Sequence, residues 1–113
     1  MKTIVIVNPQ AGNGRTEKIW PKIENALKQN IGSFQTLHTK SQGDAVLLTR
    51  KALEGDTTRI VAVGGDGHLN EVLNGFIEND VQLSPQSTLG FVMSGTGCDF
   101  QRSLNISGNW HNS

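Results

Sequence analysis

The sequence predicts an α/β fold of three layers, a parallel sheet covered by helices on both faces. Three observations predict it. Short runs of β-branched residues alternate with segments whose apolar residues recur at helical spacing. The β-branched runs are continuously apolar, the pattern of strands buried on both faces. Glycine-rich turns follow the runs, so that strand, glycine turn and helix repeat about four times along the chain, the order that right-handed crossovers arrange into a parallel sheet.

The first strand is Ile4-Val5-Ile6-Val7. It ends at Asn8-Pro9, because proline lacks an N–H and restricts the residue before it. Residues 10–15 form a loop rich in Gly and Asn. Over residues 16–29, Ile19, Ile23, Ala26 and Leu27 recur at helical spacing, with Pro21 either near the first turn or at a kink; Asn30 and Gly32 stop this helix. Residues 34–39 form a second strand, less apolar and so nearer a sheet edge. Residues 44–54 put Ala45, Leu48, Thr49, Ala52 and Leu53 on one helical stripe, turn Arg50 and Lys51 outward, and end at Gly55-Asp56. Ile60-Val61-Ala62-Val63 is the next apolar strand and runs into Gly64-Gly65-Asp66-Gly67. A third helix carries Leu69, Val72, Leu73 and Phe76. Residues 78–86 are a polar loop with Pro85. Leu89-Gly90-Phe91-Val92-Met93 is a further strand, followed by Ser94-Gly95-Thr96-Gly97 and a short helical start over 99–104; residues 107–113 have no element of their own.

The chain of 113 residues has the size of one domain. Ten Lys and Arg against ten Asp and Glu leave no net charge, which excludes a polybasic arm and argues against a nucleic-acid partner. The single cysteine, Cys98, excludes an intrachain disulfide framework and a multi-cysteine zinc site. No apolar run reaches the roughly 18 residues of a membrane span, and the opening run is too short for a signal-peptide core. The expectation is a cytoplasmic protein, in which the triplet Asn105-Ile106-Ser107 is a chance match to a glycosylation acceptor.

Several chemistries lack their motif. No segment reads G-x-x-x-x-G-K-S/T. The dinucleotide fingerprint fails because Glu17 stands at the third glycine position after Gly12 and Gly14. No G-x-S-x-G elbow is present, and His38, His68 and His111 have no metal-ligand spacing, so no protein-held metal site is expected. What remains is the rim formed by the glycine turns. In open parallel sheets ligands bind beyond the carboxyl ends of the strands. Three turns fall there, Gly12/Gly14, Gly64/Gly65/Gly67 and Gly95/Gly97. Converging backbone N–H groups at such a rim suit an anion. Asp66 lies at the mouth, where a carboxylate can hold Mg²⁺ through water or accept a proton. Asn70, Glu71 and Asn74 share one helical face, with Asn70 and Glu71 expected in the first turn. The plain alternative is that these are ordinary turn and first-turn residues.

Asn8-Pro9, Gly12, Gly14-Arg15, the segment 64–75 and Gly95-Thr96-Gly97-Cys98-Asp99-Phe100 with Arg102 resemble the three motifs of the diacylglycerol kinase catalytic domain, in that family's order. The family includes sphingosine and ceramide kinases and bacterial lipid kinases, and its GGDG element is similar to that of NAD kinases. The resemblance implies the N-terminal fold of NAD and diacylglycerol kinases, with residues 1–106 as the nucleotide-binding domain and 107–113 as the start of a linker. It implies an ATP-dependent lipid kinase using Mg²⁺. Asn8, Pro9, Gly12, Asn13, Gly14 and Arg15 would meet the nucleotide, with Arg15 near phosphate or opening the first helix. Thr39 matches a threonine used for ATP, and Gly43-Asp44-Ala45 stands where the family usually has Gly-His-Ala. Gly64, Gly65, Asp66, Gly67, His68 and Leu69 would wrap the phosphates, Asn70 and Glu71 complete the pocket, and Gly95 and Thr96 close it. Asp66 would be the catalytic residue.

Three departures stand out. His68 replaces a Thr, Cys98 replaces an Asn, and Met93-Ser94 replaces an approach containing Pro. If the ring of His68 obstructs the pocket, His68→Thr should tighten nucleotide binding. The family also carries a second, β-rich domain after this region, which supplies the lipid pocket. The resemblance therefore implies a nucleotide-binding half, inactive as a kinase by itself. The lipid alcohol and peripheral contact with the inner membrane face would belong to the missing part, and self-association is expected through the surface it would cover. Because the loops hold few basic residues, Mg²⁺ is expected to supply most of the charge compensation. The competing expectations are a NAD-kinase-like domain and a non-enzymatic α/β interaction module.

Overall fold

The computed structural model describes residues 2–78, 81–82, 87–93 and 103–106. In chain order they form β1 (Lys2–Val7), α1 (Arg15–Ile31), β2 (Gln35–His38), α2 (Asp44–Leu53), β3 (Thr57–Gly64), α3 (Asp66–Gly75), β4 (Ile77–Glu78), β5 (Val81–Gln82), β6 (Thr88–Met93) and β7 (Ser103–Ile106). The main sheet has the order β2-β1-β3-β6-β7, and β4 and β5 form a small antiparallel pair. β2, β1, β3 and β6 run parallel, with Ile6 opposite Leu37 on one side and Ala62 on the other. β7 closes the far edge antiparallel to β6.

The continuous apolar runs split by residue parity. Ile4, Ile6, Ile60, Ala62, Leu89 and Phe91 face one side, where Ala45, Ala52 and Leu53 of α2 and Val72 of α3 cover them with Phe76. Val5, Val7, Val61, Val63 and Val92 face the other, against Ile23, Ile19, Trp20 and Leu27 of α1. Successive strand residues point to opposite faces, so a run with no polar gap demands a helix on each. Three layers follow.

The connections also fix where a ligand can sit. From β1 the chain crosses through α1 outward to β2. From β3 it crosses through α3 in the opposite direction to β6. Right-handed crossovers running opposite ways place their helices on opposite faces, and the loops leaving β1 and β3 diverge. The crevice beyond the carboxyl ends of these two strands is the topological switch point.

Most expected elements are present, and β2 lies at an edge as its weak apolar pattern implied. Gly32 stops α1, its N–H donating to the Lys28 carbonyl at φ +83°. α1 runs through Pro21, which lies beyond the first turn on the exposed side and leaves the Glu17 carbonyl without its i+4 donor.

Three expectations need correction. Ser103 and Leu104, expected in a helical start, belong to β7, because the outer edge of β6 offers unpaired backbone groups that an adjacent strand satisfies. The loop 78–86 holds part of the β4–β5 pair. Arg50, expected to face outward, is half-buried. Its Nη2 donates to the carbonyls of Asn74 at 3.3 Å and Ile77 at 3.0 Å, covering the carbonyls that the end of α3 leaves open. That reach follows from close packing of the helices: a Cβ on Gly75 would stand 2.5 Å from the Thr49 Cβ. The third glycine turn, with Gly95, Thr96 and Cys98, and the segment 107–113 lie outside the described residues.

Candidate functional site

The backbone ties the ends of the parallel strands together. Asn8 N–H donates to the Val63 carbonyl at 3.0 Å, and Thr39 N–H to the Val7 carbonyl at 2.9 Å. The loop after β1 is then shaped from inside. The Asn8 side-chain oxygen accepts the N–H of Gln10 at 3.1 Å, and the Ala11 carbonyl accepts both the N–H and the hydroxyl of Thr16. Gly12, Asn13 and Gly14 all have positive φ, between 60° and 88°, so the loop doubles back into α1 within a few residues. Arg15 is the first residue of that helix.

The turn after β3 is shorter than the sequence suggests. β3 continues to Gly64 and α3 begins at Asp66, leaving Gly65 as the single hinge residue. Asp66 and Gly67 are therefore the opening residues of a helix. Asn70 and Glu71 move into its second turn, a correction to their expected first-turn positions. The Leu69 side chain packs against the core.

A cleft of about 350 Å³ lies beyond the strand ends, lined by Asn8, Gln10, Thr39, Lys40, Ser41, Gln42, Gly67, His68 and Glu71. That volume is at the lower end of the roughly 300–1,000 Å³ typical of small-molecule sites. A larger concavity, about 640 Å³, lies at the opposite end of the sheet, lined by Lys2, Thr3 and Phe34 among others. It meets neither of the two described glycine turns, so the smaller cleft is the candidate site.

Of the residues singled out in the sequence, Asn8, Thr39, Gly67, His68 and Glu71 are brought together in this lining. Pro9, Gly12, Asn13, Gly14, Arg15, Gly64, Gly65, Asp66, Leu69 and Asn70 do not line it, although Gly65 and Asp66 directly precede Gly67 at the start of α3. Gln10, Lys40, Ser41 and Gln42 were missed. Lys40, Ser41 and Gln42 continue directly from Thr39, and no motif marks them. Lys40 also supplies a cation that the loops were not expected to hold.

Two groups have perturbed acidity. Burial pushes the His68 imidazole below its usual range, with the Ile6 carbonyl and the Glu71 carboxylate pulling partly the other way. The ring is 5% exposed and its Nε2 lies 2.9 Å from the Ile6 carbonyl oxygen, so Nε2 carries the donated proton. His68 is a buried residue of the cleft lining. The N–H groups of Lys40 and Ser41 hold the Asp44 carboxyl below its usual range, at 2.8 and 3.0 Å. Asp44 thus braces the loop that carries Lys40 to Gln42.

The glycines separate into two kinds. Gly12 and Gly14 have positive φ, and a Cβ on Gly64 would collide with His68; the fold accounts for them. Gly65 has φ −102°, and a Cβ on Gly65 or Gly67 would meet nothing within 4 Å. Neither has positive φ. Gly67 is the second residue of α3, a helical position where glycine is a poorer choice than alanine. The fold itself does not require bare backbone at either position. No side chain caps α3, so its first amides and the positive end of its dipole face the rim, an arrangement suited to an anion.

Comparison with known proteins agrees with the fold. The model of the diacylglycerol kinase catalytic domain matches residues 2–113. The chain is 32% identical over 104 residues to the diacylglycerol kinase of Staphylococcus carnosus (strain TM300), covering 90% of this chain and 32% of that protein. It is 34% identical over 102 residues to the diacylglycerol kinase of Staphylococcus haemolyticus (strain JCSC1435), covering 90% and 30%. The crystal structure of a diacylglycerol kinase from Bacillus anthracis str. Sterne superposes with a TM-score of 0.68 at 33% identity, over 88% of this chain and 35% of that one. The chain thus spans about a third of the length of the curated relatives it matches. With the whole matched region inside one family model, the chain belongs to the diacylglycerol kinase catalytic domain family.

Proposed function

We propose that this chain is the ATP-binding part of a lipid kinase that transfers the γ-phosphate of ATP to a lipid hydroxyl such as that of diacylglycerol. The observation that carries the reading is the bare α3 N-terminus, where Gly65 and Gly67 leave space that the fold itself does not require. Phosphoryl transfer depends mainly on positioning and charge neutralisation, and helix-terminal amides supply both for a phosphate.

In this reading the amides of residues 65–68 meet the phosphates. The loop of Asn8, Pro9 and residues 12–15 flanks them, and Gly95 and Thr96 close the pocket. Thr39 presents its hydroxyl and Lys40 its ammonium group to the nucleotide. Asp66, exposed on the first residue of α3, accepts the proton of the attacking lipid hydroxyl or holds Mg²⁺ through water. Mg²⁺ takes one or two carboxylates together with phosphate oxygens and keeps several waters, and an exposed carboxylate beside a phosphate cradle fits that habit. When bound, the ion supplies charge neutralisation.

The lipid alcohol, contact with the inner membrane face and full catalytic competence belong to the longer proteins' remaining length. Among the described residues no helix is long and apolar enough to cross a membrane. Self-association belongs to the same reading, since β2 is the outermost strand on its side and its edge offers backbone groups to a second copy. Light scattering that finds a strict monomer at high concentration removes it.

Titration calorimetry of this chain with ATP and ADP in Mg²⁺ tests the proposal. Weak Mg²⁺-dependent binding is expected, reduced by Asp66→Ala and by Gly65→Val. No heat with any adenine nucleotide overturns it. Offering NAD beside diacylglycerol to a full-length version of this protein identifies the acceptor; phosphorylation of NAD alone would make it a NAD-kinase-like domain.

A further inference from the structure

Glu71 was expected to meet the nucleotide, yet its carboxylate is already engaged. Gly43 N–H donates to Glu71 Oε1 at 3.1 Å, joining residues 28 apart in sequence. Gly43 directly precedes α2 and has φ +95°, a conformation that L side chains adopt poorly. The bond therefore links a loop end that only glycine adopts without strain to the second turn of α3.

The loop 39–43 is one wall of the cleft, and α3 carries the opposite one. Its start is pinned where Thr39 N–H meets the Val7 carbonyl. Its middle is braced by Asp44, which accepts the N–H groups of Lys40 and Ser41 and the Ser41 hydroxyl at 3.3 Å. Those Asp44 bonds span at most four residues, so they travel with the loop wherever it goes. The Glu71 bond is different in kind, because it ties the loop's far end to the facing wall.

Charge gives a second argument. Glu71 also lines the cleft, and an uncommitted carboxylate there would repel a polyphosphate. The Gly43 amide gives the carboxylate a structural partner without removing its charge, which favours a role in the wall over contact with phosphate.

We propose that Glu71 is a positioning residue, which holds Gly43 and so fixes the spacing between the loop 39–43 and α3 before the nucleotide arrives. The inference rests on the nucleotide reading of the cleft and deepens it. Binding to a wall already formed avoids the ordering of a loop that would otherwise weaken affinity.

The test uses this chain and its Glu71→Gln, Glu71→Ala and Glu71→Asp variants. Hydrogen exchange of the Gly43 amide, followed by NMR, reads the tie. Titration calorimetry with ATP and Mg²⁺ reads the site. Gln keeps an acceptor oxygen at the same reach without the charge, and should keep the amide protected and the affinity within about threefold of wild type. Ala should release the amide and weaken ATP by about tenfold. Asp keeps the charge but falls short by one methylene, so it should behave like Ala, and it replaces Ala in the comparison if Ala does not fold. Equal ATP affinity with a released Gly43 amide overturns the proposal. So does a Gln variant as weak as Ala, which would make Glu71 a direct contact acting through its charge. If wild type itself takes up no ATP, the nucleotide reading falls and this role falls with it, an outcome distinct from wild-type binding that the variants leave unchanged.

Discussion

A Cβ placed on Gly64 would stand 2.9 Å from Cδ2 of His68 and 3.0 Å from its Cβ and Cγ. The last residue of β3 and the third residue of α3 are therefore in direct contact, and this contact lets strand pass into helix with Gly65 alone between them. The same ring bonds the Ile6 carbonyl on β1, so His68 joins β1, β3 and α3 beneath the cleft. Gly64→Ala should cost about 1–3 kcal/mol by overpacking. In a His68→Ala background the ring contacts are gone while the Cβ contact at 3.0 Å remains, so part of that loss should disappear. Urea denaturation of the two single variants and the double variant measures the coupling, expected to exceed about 0.5 kcal/mol. Strict additivity would show that the two residues act independently.

His68 also gives the fold a pH dependence. Burial depresses its folded pKa below the unfolded value of about 6.5. Between the two values the unfolded chain holds more protons, so stability rises with pH there. The contribution is complete above about pH 6.5 and is lost as pH falls toward the lowered folded value. Thermal unfolding from pH 7.5 down to 5 should show this slope, and His68→Gln should flatten it. An unchanged slope in the variant would assign the effect elsewhere. Because His68→Thr removes the ring's bond to the Ile6 carbonyl, it should loosen the strand ends that carry the cleft, and nucleotide affinity should not tighten.

The layers were legible because burial on both faces writes itself into composition: Ile4-Val5-Ile6-Val7 and Ile60-Val61-Ala62-Val63 admit few other environments. Of the residues the sequence marks, Asn8, Thr39, Gly67, His68 and Glu71 line the cleft, while Gly12, Gly14, Gly64 and Gly65 do not. What stayed hidden depended on where the chain bends back. Asp66 and Gly67 read as turn residues, since glycine and aspartate favour turns locally, yet a helix begins with them. Arg50 looked solvent-facing by periodicity alone, and only the close Thr49–Gly75 contact brings the end of α3 within its reach. Lys40, Ser41 and Gln42 carry no periodic or motif signal, because the cleft uses the path of their backbone, set by Asp44 and Glu71.

Gly65 and Gly67 separate the needs of the fold from those of the site. Gly67→Ala should leave stability unchanged or raise it by up to about 1 kcal/mol, since the position is helical and open. Gly65→Val should fold, because φ −102° is ordinary for an L residue. Both should weaken ATP by about tenfold or more, as side chains occupy the path of the phosphates. Denaturation and calorimetry on the same samples decide the matter. Variants that lose stability in proportion to affinity would return these glycines to a purely structural role.

Lys40 is exposed, and its ammonium is the positive charge among the described side chains lining the cleft. An exposed cation close to a phosphate contributes on the order of 1 kcal/mol in a water-like dielectric, which is about a fivefold effect on binding. Lys40→Met should therefore weaken ATP by about that factor, weaken ADP less, and leave adenosine unaffected. Lys40→Arg should keep most of the affinity. Screening gives the sharper test. The Debye length falls from about 10 Å at 0.1 M to about 3 Å at 1 M salt, so the gap between wild type and Lys40→Met should shrink as salt is raised. Since the Lys40 backbone is held by Asp44 and not by its own side chain, truncating that side chain should leave the loop in place. A loss that persists undiminished at 1 M salt, or that extends to adenosine, would mean that Lys40 shapes the wall rather than meeting the phosphates.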